Sequence, residues 1–197
     1  MTTTTRSKYF LGAAVASRQA LSRIDAYEKL VFSSFGKKHE ERQDRHITVM
    51  PPFMASYEEA SDLNLGGCFA GLLSSHPINT TLFSIRGLAI MEFQGMEFLH
   101  FPVEASSSRE SWEVYVKRVR ENLISAGIFP REAIPDEYRP HITVYGGGNL
   151  SKDKEVLRII EKSRYEPALY FHSVFLNLYT KYKRGWRMLS YDPAEEG

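Results

Sequence analysis

The chain has 197 residues, 43% hydrophobic and 25% charged, with a formal net charge of +1. That composition excludes wholesale disorder and supplies one sizeable core, or two small lobes sharing one. The balance of 25 basic against 24 acidic residues excludes life on a polyanion through bulk electrostatics, though not recognition of one or two phosphates.

Cys68 is the only cysteine, so no intramolecular disulfide can form and a reducing, cytoplasmic setting is the simpler expectation. At the N-terminus, Ala14-Val15-Ala16 resembles a signal-peptidase site, but the apolar run before it is shorter than a secretory core. A strand over residues 9–16 is the better reading, and no stretch approaches the length of a membrane span.

Leu21, Ile24, Tyr27 and Val31 then recur at helical spacing, which predicts a helix from Ser17 to about Phe35. A charged connection leads into a strand over 45–50 that Pro51-Pro52 is expected to end. Ser56 and Glu59 form a capping box for a second helix reaching Gly66-Gly67. Residues 80–91 and 96–103 read as strands around the turn QGM. Trp112, Val116, Val119 and Leu123 mark an amphipathic helix ending near Gly127. A loop leads to a strand over 141–145, a Ser151-led helix comes next over 152–163, and β-rich runs at 168–179 and 186–191 close the chain around KYKRG. The order strand, helix, strand, helix, strand thus occurs twice. It predicts an α+β fold of two similar β/α lobes, about residues 8–92 and 96–192, facing each other across a cleft.

The strands at 45–50 and 141–145 carry the same word, His-Ile-Thr-Val. Alternate side chains of a strand share a face. His46, Thr48 and Met50 should therefore point one way, as should His141, Thr143 and Tyr145, while Ile47, Val49, Ile142 and Val144 enter the core. Histidine takes or gives a proton near neutral pH, and threonine donates a hydrogen bond to an anionic oxygen. Two opposed pairs would supply a base, an acid and two oxyanion donors around one phosphorus.

Two such motifs, one in each half of a chain of about this size, resemble the 2H phosphoesterase superfamily. That group includes RNA 2′,3′-cyclic phosphodiesterases, also called 2′-5′ RNA ligases, and enzymes that cut 2′-5′ oligoadenylates or cyclic oligonucleotides. YRPHITVY is the closer match, because an aromatic-x-Pro lead-in is common before the family's second motif. The first motif departs by carrying Arg45 where proline often stands, and Met50-Pro51-Pro52 after it. The resemblance covers most of the chain in layout but about ten residues in letters. It implies a bilobal fold with antiparallel sheets flanking a central cleft. It also implies cofactor-free, metal-independent chemistry by His46, Thr48, His141 and Thr143 on RNA ends, cyclic nucleotides or short oligonucleotides. A monomer with no membrane partner is expected.

Other residues are secondary candidates. Tyr145 could stack on a base or bond a phosphate, Arg139 could hold a phosphate, and Met50 could line the pocket, each against the plainer reading of ordinary surface or lining. Arg45 should point away from His46, being adjacent to it in a strand. Gly146-Gly147-Gly148 could cradle an anion but more simply make a turn, and KYKRGWR could bind a nucleic-acid strand but more simply forms a hairpin. A zinc site wants three or four ligands, and no HExxH or CxxC supplies them. Cys68 reads as a small-residue packing position, and His39, His76, His100 and His172 carry no pattern. A binding module that holds a nucleotide without turnover is the alternative to an enzyme.

Overall fold

The computed structural model describes residues 6–15, 17–37, 45–56, 58–60, 81–106, 111–131, 139–172, 176–182 and 185–188. The fold is mixed α+β with two antiparallel sheets. In chain order its elements are β1 (Ser7–Ala14), α1 (Arg18–Ser34), β2 (His46–Ala55), β3 (Leu82–Ile85), β4 (Ala89–Phe93) and β5 (Met96–Ser106). After these come α2 (Trp112–Ser125), β6 (His141–Gly146), α3 (Lys154–Arg164), β7 (Leu169–His172), β8 (Leu176–Tyr182) and β9 (Gly185–Met188).

The first sheet runs β2-β1-β8-β9. In the second, β3 and β4 lie one after the other along one side of β5, β6 pairs with its other side, and β7 pairs with β3. The sheets therefore do not divide at the middle of the chain, as lobes at 8–92 and 96–192 would require. Strands β8 and β9 return to the first sheet, and β3 and β4 belong to the second. Antiparallel partners can come from any distance in sequence, so an alternation of elements cannot reveal such an exchange.

The helices form where the chain offers caps and an apolar stripe. Ser17 accepts from the Ala20 amide at the start of α1, and Ser111 accepts from Val114 at the start of α2. The helix 152–163 begins later than expected: Asp153 caps α3 through the amides of Glu155 and Val156, and Ser151 lies in a preceding 3₁₀ turn. The capping box of Ser56 and Glu59 is made in both directions, at 3.1 and 2.7 Å. Beyond residues 58–60 that helix lies outside the described residues, as do Gly66, Gly67, Cys68, His39 and His76.

Ile24, Tyr27 and Val31 of α1, Trp112, Tyr115 and Val119 of α2, and Val156 and Ile160 of α3 join Leu11, Ile47, Phe53, Leu99, Phe101 and Ile142 in one buried cluster. Helix α1, which comes after a strand of the first sheet, packs on β6 and β7 of the second, while α2 packs on β2 of the first. Each helix thereby ties the two sheets together.

Three strand boundaries differ from expectation for local reasons. The run 80–91 breaks into β3 and β4 at 86–88, where the Leu88 amide bonds the Ser163 hydroxyl at 2.7 Å. The run 168–179 divides between two sheets. Pro51 and Pro52 do not end β2, because they fall where its pairing with β1 slips, between Tyr9 opposite Phe53 and Leu11 opposite Met50. A proline has no amide to offer a ladder, and an edge-strand slip is where one is tolerated.

Candidate functional site

Each HITV word lies in a strand that borders its sheet: β2 beside β1, and β6 beside β5. The two strands also pack against one another. Directly opposed residues of an antiparallel pair share a face, so the register assigns each side chain to a side.

In the first sheet His46 stands opposite Ala14, Thr48 opposite Gly12, and Ile47 opposite the buried Ala13. The second repeats this frame: His141 stands opposite Pro102, Thr143 opposite His100, and Ile142 opposite the buried Phe101. Even the entry bonds agree, with Val15 N–H donating to the Arg45 carbonyl at 2.9 Å and Val103 N–H to the Pro140 carbonyl at 3.0 Å. Both words place His and Thr on one face and Ile on the other.

The alternation then stops at the same letter in both. Leu11 pairs with Met50 and Gly12 with Thr48, which leaves Val49 as an extra residue; Leu99 pairs with Tyr145 and His100 with Thr143, which leaves Val144. These are β-bulges, and a bulge reverses the side taken by the residues after it. Met50 and Tyr145 therefore lie on the face opposite to the threonines, contrary to the simple period of two. Met50 is fully buried in the core, which removes it as a pocket-lining residue.

Tyr145 turns toward α1, where Phe35 stacks on its ring at 5.0 Å and Phe32 meets it edge-on at 5.3 Å. Lys37 donates to its hydroxyl and lies 5.0 Å from the ring centroid. Its phenol is engaged in closing the end of α1 rather than offered beside Thr143.

Arg45 does point away from His46. It is 4% exposed and pairs with Glu28 and, at 3.1 Å, with Asp25, both on α1. The residue just before the first histidine thus locks its strand to the helix that covers the second sheet. Arg120 of α2 holds the bulge from another direction, donating to the Val49 carbonyl at 2.7 Å.

His46 lies against its own sheet. Its ring centroid is 4.3 Å from that of Phe10, and a Cβ added to Gly12 would come within 3.0 Å of the His46 Cβ. Glycine is what this close approach requires. Thr48 is half-buried and Thr143 exposed.

His141 places its Nδ1 2.8 Å from the Arg139 carbonyl. A carbonyl only accepts, so Nδ1 carries the proton and Nε2 keeps its lone pair. Burial lowers the pKa of this imidazole from 6.5, partly opposed by the Arg139 carbonyl. The Arg139 side chain is exposed, and its main chain is what orients the histidine.

The residue that sequence reasoning passed over is His100. It is 8% exposed, faces the same way as Thr143, and packs edge-to-face on His141 with ring centroids 5.5 Å apart. Burial first, and then the neighbouring His141, lower its pKa to about 4, partly opposed by the Phe98 main chain. A signal was available: Phe10-Leu11-Gly12-Ala13-Ala14-Val15 and Phe98-Leu99-His100-Phe101-Pro102-Val103 share Phe, Leu and Val. Aligning the partner strands as well as the words would have set His100 opposite Gly12.

His172 lies elsewhere, on β7, with Nδ1 3.0 Å from the Thr81 carbonyl. Gly147 and Gly148 take positive φ of 101° and 87°, the conformation of a turn that favours glycine. Residues 183 and 184 of the KYKRGWR segment lie outside the described residues, and its flanks are β8 and β9, a hairpin. Among the described residues no three His, Cys, Asp or Glu side chains are grouped to hold a metal ion, and no helix is long and apolar enough to cross a membrane. No family model matches the chain, and no curated protein matches it in sequence.

Proposed function

We propose that the chain is a metal-independent phosphodiesterase of the 2H type, with two pseudo-symmetric lobes flanking a central cleft. Its substrates are RNA ends bearing a 2′,3′-cyclic phosphate, or small 2′-5′-linked or cyclic oligonucleotides. One observation carries the reading: both words present His and Thr from the same register, on packed edge strands, with the bulge at the same valine. A pair of satisfied core histidines would need no such matched frame.

On this reading His141 is the base. Its Nε2 lone pair takes the proton of a water, or of a ribose hydroxyl, as that oxygen attacks phosphorus. The bond from phosphorus to the departing ribose oxygen breaks, and His46 supplies the proton that oxygen needs. Thr48 and Thr143 donate to the non-bridging oxygens, where negative charge gathers. A depressed pKa suits His141 to the base role, because a neutral ring can accept a proton and a poorly protonated one is a weak acid reservoir.

The test is a substrate panel resolved by chromatography: a 2′,3′-cyclic nucleotide, 2′-5′ oligoadenylate and cyclic dinucleotides, with and without EDTA. Turnover that persists in EDTA is expected. Tight complexes without product would replace the enzyme by a binding module, and loss of turnover in EDTA would replace the acid–base reading by a metal-dependent one.

A further inference from the structure

Resting on the phosphodiesterase reading above, we propose that His100 is a positioning residue of the site. Its ring walls off one side of His141, backs the orientation that the Arg139 carbonyl sets, and limits contact with water. The two halves of a repeated motif are thereby given different work.

The position opposite the motif threonine is Gly12 in the first sheet and His100 in the second. At Gly12 there is no side chain, and the His46 ring occupies the space, within 3.1 Å of where a Cβ would stand. At His100 that space is filled by a second imidazole, so His141 rests edge-to-face on a ring, at 78° and 5.5 Å between centroids. Identical words therefore hold their histidines against unlike floors.

His100 is also an unusual ring to bury. It is 8% exposed, and its Nδ1 meets no partner in good hydrogen-bond geometry, the Phe98 main chain being the polar group that comes near the ring. Buried polar atoms are nearly always satisfied, and an exception in a native fold calls for a reason. A neutral imidazole that serves as a wall for another is such a reason. With its pKa lowered to about 4, first by burial and then by His141, it is uncharged near neutral pH. It shields without competing for the proton.

The other groups on this face leave the assignment intact. Along β5 the same side carries Phe98, Pro102 and the exposed Glu104, whose carboxylate lies 3.4 Å from the Ser84 hydroxyl. Opposite His100 on the other flank β4 offers only Ala89. At the head of β6, Arg139 contributes its carbonyl, and on the strand packed beside it stands His46. The helix α1 with its Glu28, and Lys37 just beyond its end, lie on the opposite face of the sheet. Among the described residues, His100 is the titratable group whose ring packs on His141.

The experiment tracks the histidine Cε1–H resonances by NMR against pH in wild type, H100A and H100F, beside the pH dependence of kcat/KM on the best substrate of the panel. In wild type His141 should titrate below the ordinary value of 6.5. H100A should raise that titration toward it, move the acid limb of kcat/KM upward in step, and lower kcat about tenfold with KM nearly unchanged. H100F keeps a ring of similar size and should keep both the low titration and the acid limb.

A His141 titration and acid limb that stay put in H100A would overturn the inference. So would an H100F variant in which His141 titrates like an open histidine, and this second arm decides should H100A fail to fold. The titration needs no turnover, which separates the two failures. If it moves as expected while wild type is inert on every substrate, the phosphodiesterase reading falls and the role of His100 stands.

Discussion

Strands β2 and β6 carry one word in one register, yet almost everything that touches them differs. Before the first histidine stands Arg45, buried against Glu28 and Asp25; before the second stands Pro140, with a carbonyl bonded to Val103. Opposite the first threonine is Gly12, and opposite the second is His100. After the first bulge Met50 enters the core, and after the second Tyr145 closes on Phe32, Phe35 and Lys37. The letters of the word decide which groups face one way, and the neighbours decide how each group is held and how it titrates.

The severest way to break the comparison is to remove its histidines one at a time. His46→Ala and His141→Ala should each slow turnover by about 10²–10⁴-fold while the fold persists, which steady-state rates and circular dichroism would check. If only one were needed, the two strands would not be halves of one site.

The anchor of the first strand should matter most to stability. Arg45→Ala leaves Glu28 buried without its cation and should cost about 3–5 kcal/mol in urea unfolding. Replacing Arg45 and Glu28 together by apolar residues of similar volume should recover most of that loss. Equal loss in the single and double variants would show that packing, not charge pairing, is what Arg45 provides.

The surroundings of the second strand should be the pH-sensitive ones, through His100 on the neighbouring β5. The folded pKa of His100 is about 4, below its ordinary 6.5, so between those values the unfolded chain binds more protons. Stability should be complete above about pH 6.5 and fall toward pH 4, by no more than about 3 kcal/mol from this group. His100→Phe should flatten that slope, as urea midpoints measured across the window would reveal.

Gly12→Ala sharpens the contrast at smaller scale. The new Cβ would press on the His46 Cβ, Cγ and Cδ2 at 3.0–3.1 Å, tilting the ring from its place. A loss of kcat of about tenfold is expected with little change in melting temperature; an unchanged kcat would mean that His46 does not depend on that floor. The least effect should come from Tyr145→Phe. It removes the bond from Lys37 on the far face of the sheet and should cost less than about 1 kcal/mol, with kcat/KM within about twofold of wild type. A large drop in kcat/KM would return Tyr145 to the substrate.

Much of this was legible in the sequence. Hydrophobic periodicity located α1, α2 and most strands, cap chemistry marked the starts at Ser17 and Ser56, and the repeated word with its period of two placed His46, Thr48, His141 and Thr143 on one side of their strands. These are local properties, set by bonds and spacings within a few residues. The rest depended on partners far along the chain. Only pairing revealed that β8 returns to β1, and that Val49 and Val144 bulge, which turned Met50 and Tyr145 away from the threonines. Only pairing put His100, which has no pattern of its own, beside His141. Register is a relation between two strands, and a slip of one residue changes the face of every residue beyond it. One strand's sequence holds the alternation, but the tertiary structure decides where it breaks.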